Sequence, residues 1–390
     1  MKLQSPNSLL VKLTLLVCSS LTVMAGATIA PSLPAMQDHF AATPNAAYWV
    51  RLVLTVPALF IAIGAPFVGT MIDRAGRKPL LTLAVLLYGI AGSSGAILNA
   101  IGLILVGRVL LGLSVAGIMT TATALIADYY VGAVRAQFLG FQAAFMGLGG
   151  VVFLLLGGFL ADISWRMPFL IYLLALLILP LVVFVLPEPN RSSEAQQTTH
   201  EPAPPFPWTI TALTYAAALL SQVVFYLIPA QLPFYLRQLI SANASQSGFA
   251  IALATLFSAA SAIAYKQIKA RLTFMGIYTI AFLSMAVGYV IISLATGYGM
   301  VLVGLAIAGA GLGLLMPNMN VCLTSVTPGA MRGRVLGGLT TAFFFGQFIS
   351  PVLSQPMSGA IGLDLTYRLA GGLMFVMGAI ALVLGQLWKQ

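Results

Sequence analysis

LVGRVLLGLSVAGIMTTATALIADYYVGAVRAQFLG, residues 105–140, aligns without a gap on LVGLAIAGAGLGLLMPNMNVCLTSVTPGAMRGRVLG, residues 302–337, at a constant offset of 197. Gly107 pairs with Gly304, Gly112 with Gly309 and Met119 with Met316. The run Gly132-Ala133-x-Arg135-x-x-x-Leu139-Gly140 pairs with Gly329-Ala330-x-Arg332-x-x-x-Leu336-Gly337. Apolar composition matches Leu with Val by chance, but it does not set the same Gly-Ala-x-Arg loop at one register twice. The chain reads as a duplication.

What is duplicated spans a membrane. Of the 390 residues 60% are hydrophobic and 7% charged, with a mean hydropathy of +1.02, against roughly 45–50% apolar in a soluble domain. Twelve apolar runs reach the roughly 20 residues that a helix needs to cross a bilayer. They cover 9–34, 49–72, 79–98, 103–127, 136–161, 167–186, 209–235, 247–266, 273–295, 300–324, 335–357 and 367–387. The strands of a barrel would be about 10 residues long and strictly alternating; these runs are continuous, and helices satisfy their own backbone groups in hydrocarbon. Residues 187–208, PEPNRSSEAQQTTHEPAPPFPW, break the pattern with Pro, Ser, Gln and charge, as a linker does. The expected architecture is an all-α membrane protein of two pseudo-symmetric six-helix bundles, 1–186 and 209–390, joined by 187–208.

The net charge of +10 would suit nucleic acid, but its distribution fits a bilayer better. Of eighteen Lys and Arg, thirteen fall on one side of the twelve-span topology, four (Arg51, Arg166, Arg237, Arg368) near the opposite ends, and Arg108 within a span. Under the positive-inside rule both termini are cytoplasmic. The expected partner is the lipid bilayer, with no nucleic acid. Cys18 and Cys322 lie within spans and read as small apolar residues. Ala25-Gly26-Ala27 has the form of a signal-peptidase site, but the apolar region before it is too long, and cleavage would reverse the charge pattern. The first span is expected to stay.

Catalysis finds no support. The two Cys are separated, and His39 and His200 lie outside the proposed spans, so no nucleophile or metal constellation forms. No G-x-x-x-x-G-K-[ST] loop occurs, which excludes that route to ATP hydrolysis. No enzyme activity, cofactor or metal is expected.

One loop concentrates charge: GTMIDRAGRKP, 69–79. Span two would place Asp73 at a helix C-terminus, where a carboxylate needs a partner against the macrodipole. The N-terminus of span eleven, on the same side, suits that carboxylate. Gly69 would permit close helix approach, Gly76 would relieve the turn, and Arg77 would pair with Asp128 at the end of span four. A basic loop that only sets orientation would explain Arg74, Arg77 and Lys78 but neither Asp73 nor the glycines. The corresponding loop of the second half, AYKQIKARLTF, lacks both acid and glycines.

Repeated six-helix bundles are the construction of transporters that expose a midplane site to each side in turn. On this repeat, and on Gly69-x-x-x-Asp73-Arg74-x-Gly76-Arg77-Lys78, the chain resembles a major facilitator superfamily transporter over essentially its full length, and most the twelve-helix drug/proton antiporter-like exporters. The resemblance implies that the loop charges hold a cytoplasmic gate against spans four and eleven. It also implies that Arg108, in the signature R-x-x-x-G with Gly112, serves coupling or substrate charge. On physical grounds an intramembrane Arg costs at least about 2.5 kcal/mol to insert and is a functional candidate; the alternative is an Arg that snorkels to the interface. The antiporter signature G-P-x-x-G-G falls on 153–158, where the Gly-Pro pair is missing and Gly157-Gly158 remain. Gly147, Gly149 and Gly150 nearby are expected to pack helices closely.

The eight acids, Asp38, Asp73, Asp128, Asp162, Glu188, Glu194, Glu201 and Asp364, all avoid the middle of a span. Exporters of cationic drugs commonly carry such an acid, so the expected cargo is neutral, zwitterionic or anionic. Protons, the expected coupling ion, would use Asp38, His39, Asp128 or the substrate itself. Gln222 and Tyr226, at i and i+4, share a face, and Pro31, Pro34, Pro229 and Pro233 allow bends at corresponding ends of spans one and seven. Asn320 rather than Asn318 is expected to face a cavity, with interhelical hydrogen bonding as the alternative for every one of these polar groups. The expected protein is a monomeric, proton-coupled exporter of small amphipathic organic molecules in a bacterial inner membrane. The alternatives are a metabolite or siderophore carrier working by symport or facilitated diffusion and, in another class, a membrane sensor or channel.

Overall fold

Backbone groups in hydrocarbon must bond within their own segment, so runs this long and apolar become helices. The computed structural model describes residues 6–189 and 206–387; among them there is no strand. Twelve helices are long and apolar enough to cross a membrane: α1 Leu9–His39, α2 Ala46–Ile72, α3 Arg77–Ala96, α4 Ile101–Tyr129, α5 Gly132–Ile163, α6 Met167–Val185, α7 Trp208–Ile240, α8 Ala244–Lys269, α9 Phe274–Ser293, α10 Tyr298–Val326, α11 Arg332–Ile361 and α12 Leu363–Leu387. The protein is an all-α, multi-pass membrane protein. Several helices outrun their hydropathy limits, because a helix continues past the hydrocarbon on polar residues. His39, which hydropathy leaves beyond the first span, is the last residue of α1.

Two compact units form: Met1–Glu194 with Ala244–Gly248, and Ala195–Asn243 with Phe249–Gln390. Most of the 187–208 segment lies outside the described residues. In the first unit α1 packs on α5, and α3 on α4 and α6; in the second α7 packs on α11, and α9 on α10 and α12. The glycines of the repeat are the contact points. A Cβ on Gly112 would stand 2.5 Å from the Pro57 carbonyl oxygen, and one on Gly309 would strike that of Ala254; Pro57 and Ala254 are themselves 197 apart. Gly107 likewise faces Ala91, and Gly304 faces Gly288. Small residues let the backbones approach in a medium with no hydrophobic drive between helices.

The first helix of each unit is broken. α1 runs as Leu9–Ala27, a 3₁₀ turn Ala30–Ser32, and Leu33–His39. α7 runs as Trp208–Phe225 and Leu227–Ile240. Pro31, Pro34 and Pro229 each lack the N–H that a continuous helix would use. Buried tyrosines bond carbonyls of both broken helices, three of the four next to the break and one, Leu21, two turns before it. Tyr88 Oη donates to Leu21 O at 2.6 Å and Tyr172 Oη to Ala25 O at 2.9 Å. In the second unit Tyr289 Oη donates to Val224 O at 2.7 Å and Tyr367 Oη to Leu227 O at 3.2 Å.

Candidate functional site

At the basic end of the first unit the helix of α2 closes at Ala75, and Gly76, at φ +91°, turns the chain into α3. A side chain would be strained at that φ. The first amides of α3 have no partner in their own helix. Glu188 supplies one: Oε1 accepts from Arg77 N at 2.8 Å and Oε2 from Lys78 N at 2.7 Å. The carboxylate thus sits at the positive pole of a helix. Beside it, Arg77 Nε donates to Asp128 Oδ2 at 3.0 Å. Tyr129 Oη donates to Pro187 O and fixes the segment that carries Glu188. Next in the chain, Tyr130 Oη donates to Pro6 O at 2.7 Å; burial raises this phenol above its ordinary value and keeps it a donor.

The structure therefore brings together Gly76, Arg77 and Asp128 and adds Glu188, which sequence assigned to the linker. Arg74 is exposed, and the side chain of Asp73 lies outside the described residues. Gly69 differs from expectation: no heavy atom lies within 4 Å of the place a Cβ would take, and α2 makes its close approach to α4 further back, where Gly64 meets Leu113 and Ala116.

Deeper in the same unit, Arg108 is 1% exposed, so it does not snorkel. Nη1 donates to Tyr172 Oη at 3.0 Å, and the guanidinium lies 4.6 Å from the Phe169 ring centroid and 5.1 Å from that of Tyr172. Nη2 makes no hydrogen bond. Burying a cation among rings is costly, and cation–π attraction offsets only part of it, about 2 kcal/mol. Through Tyr172 the cation is linked to the break in α1. Gly112, one turn along α4, serves the contact with α2 described above.

In the second unit Gln222 is buried, and its Oε1 accepts from Gln347 Nε2 at 3.2 Å across the α7–α11 seam. Tyr226 is the residue at which α7 breaks. Asn318 is fully buried, accepting from Tyr265 Oη at 3.3 Å and donating to Phe274 O at 3.1 Å. Asn320 is partly exposed and donates to Met316 O, 3.0 Å away in its own helix; its repeat mate Thr123 bonds Met119 O at 2.9 Å in the same way.

At the opposite end of the first unit Asp162 accepts from Ala244 N at 2.7 Å, from Ser245 N at 3.2 Å and from the Ser245 hydroxyl, capping the start of α8. Gly157 and Gly158, the remnant of the antiporter signature, pack there: Gly157 on Thr28 at the break of α1, Gly158 on Ala244 and Ser245. Gly149 packs on Ser20. Among the described residues no cluster of metal-ligating side chains forms.

The two units repeat one arrangement of membrane-crossing helices, with the first helix of each broken at an equivalent place. The chain belongs to the Major Facilitator Superfamily, whose model matches residues 15–351. The Quinolone resistance protein NorA of Staphylococcus aureus (strain MRSA252) is 25% identical over 80% of this chain and 84% of its own. Multidrug resistance protein 1 of Bacillus subtilis (strain 168) is 28% identical, and Tetracycline resistance protein, class B, of Escherichia coli 33% identical. Each of these two matches covers 43% of this chain, and the chain spans less than half the length of either relative, 43% and 42%. Among solved structures, a D-xylose-proton symporter superposes with a TM-score of 0.81 at 16% identity, covering 95% of this chain and 96% of that one. A bacterial homologue of the human lysosomal transporter Spinster, inward-facing and occupied, gives 0.81 at 16% identity over 98% of both. These two likenesses speak for the fold.

Proposed function

We propose that the protein is a secondary active exporter of small amphipathic organic molecules, coupled to protons and working by alternating access. The observation that carries this reading is the break in the first helix of each unit, because discontinuous helices at matching places are where such carriers bind and bend. The export direction draws support from the resistance proteins to which the chain is similar. Arg77, Asp128 and Glu188, with Gly69, Asp73, Arg74 and Gly76 around them, act as a latch whose closed state is favoured by a few contacts and released in the other state. Arg108 serves coupling or cargo charge; Gln222, Tyr226 and Asn320 are the polar groups nearest in kind to a cargo site, with Gly112 setting helix spacing. The protein works as a monomer in a bacterial inner membrane with both termini cytoplasmic.

No acid is placed at mid-span, so the cargo is neutral, zwitterionic or anionic. Purified protein in liposomes with an imposed pH gradient should move such compounds against their gradient, and should collapse the pH gradient as it does so. Transport that ignores the pH gradient sinks proton coupling, and a strong preference for organic cations sinks the cargo class.

A further inference from the structure

In the second unit α11 lies against α7 with a glycine at the contact: a Cβ on Gly346 would stand 2.5 Å from Leu219 O and 2.9 Å from Gln222 Cβ. The next residue, Gln347, is thereby held beside Gln222, whose Oε1 accepts from Gln347 Nε2 at 3.2 Å. Gln222 and Gln347 are 1% and 7% exposed, and no charged residue occurs in 208–225 or 335–361. At the offset of 197 their mates are Ala25 and Gly150, so the repeated seam closes without an amide at either place. The pair is an addition of the second unit and not a demand of the fold.

An amide side chain offers two N–H donors and a carbonyl oxygen with two lone pairs. The single bond between the two glutamines leaves Gln222 Nε2 and Gln347 Oε1 with no hydrogen bond among the described residues. Neither atom is sealed in: the fully enclosed, unbonded side-chain atoms among the described residues belong to Arg108, Thr121, Thr211, Tyr278 and Thr327. Pro351, one turn after Gln347, has no N–H to give the Gln347 carbonyl. α7 breaks at Tyr226, one turn after Gln222. Unbonded polar groups at such depth are costly, and a ligand that bonds both atoms removes that cost.

We propose that Gln222 and Gln347 bind the carboxamide group of an uncharged cargo, its carbonyl oxygen accepting from Gln222 Nε2 and its N–H donating to Gln347 Oε1. This rests on the reading of the protein as a carrier and narrows the cargo class given above. A carboxylate has acceptors alone and would set an oxygen against Gln347 Oε1, while an ammonium has donors alone and would face Gln222 Nε2. Either would also bring an unpaired charge into an uncharged seam.

The test is calorimetric titration of the full chain in nanodiscs with 4-hexylbenzamide, with 4-hexylacetophenone, which keeps the acceptor and loses the donor at nearly equal size, and with 4-hexylbenzoate. The benzamide should bind roughly ten-fold more tightly than the ketone, the weight of one buried acceptor left unbonded, and more tightly than the benzoate. Gln347→Met, which keeps the volume, should erase the difference between benzamide and ketone; Gln222→Met should weaken both. Unfolding temperature checks the variants, and where one does not fold the ranking of the three probes on the unaltered protein decides. Equal binding of benzamide and ketone, no binding of the benzamide, tighter binding of the benzoate, or a benzamide preference that survives Gln347→Met overturns the proposal. Benzamide that binds with this selectivity in nanodiscs but is not carried in proteoliposomes counts against the carrier reading and leaves the site standing; carriage of all three probes alike sinks the site and leaves that reading.

Discussion

Arg77 and Asp128, 51 residues apart in the chain, meet at 3.0 Å, with side chains 24% and 30% exposed. A pair this open to solvent contributes only about 0–1 kcal/mol to stability. In the proposed latch its role would be that of a contact one conformation makes and another breaks.

Asp128→Asn and Arg77→Gln should therefore each lower transport while leaving expression and unfolding temperature near those of the unaltered protein. The double variant should be no worse than either single one, since both remove the same contact. Initial transport rates in proteoliposomes measure this, and additive losses would show that the two residues act separately.

Glu188→Ala should cost about 1 kcal/mol, the usual penalty for an absent helix cap, with Glu188→Gln milder because one acceptor oxygen remains. Hydrogen exchange localises the effect: the amides of Arg77 and Lys78, which Glu188 holds, should exchange faster. Unchanged protection at those two amides rules out the cap.

Gly112→Leu and Gly309→Leu should each destabilise by about 1–3 kcal/mol, because overpacked side chains force helices apart. The two should add, as they lie in separate units. Gly102→Ala, in the same helix as Gly112 but with open space at its Cβ, should be neutral or slightly stabilising. Thermal unfolding of the purified variants separates the two outcomes.

Arg108→Leu places in α4 the residue its repeat mate Leu305 already has, also fully buried. Removing a buried cation with an unbonded nitrogen should leave stability unchanged or raise it. Transport should fall at least ten-fold. A variant that is markedly less stable would mean that the cation–π stack on Phe169 and Tyr172 is a packing element first.

The spans, the duplication and the Arg77–Asp128 pair were legible in the sequence for one reason: each is written in local spacing or in a single gapless offset. Hydropathy saw α1 only as far as its apolar part and left out the turn beyond. Glu188 and Asp162 escaped because their partners stand 110 and 82 residues away, and nothing near either acid marks the helix start it caps. The tyrosine clamps escaped for a subtler cause. Tyr88 and Tyr289 are offset by 201, Tyr172 and Tyr367 by 195, so the register of 197 passes between them, and a tyrosine inside an apolar run looks like any other aromatic. Beside Gly69 the space is open, since a glycine permits a close approach without marking where one occurs.

The cap on α3 has a consequence for biogenesis. The ribosome delivers Arg77 and Lys78 more than a hundred residues before Glu188, so the third span enters the bilayer with its first turn unfinished and keeps it so until the sixth has emerged. The last cap of the amino-terminal bundle closes only when the last of its own helices is in place, and a nascent chain halted short of residue 188 would leave those two amides to water.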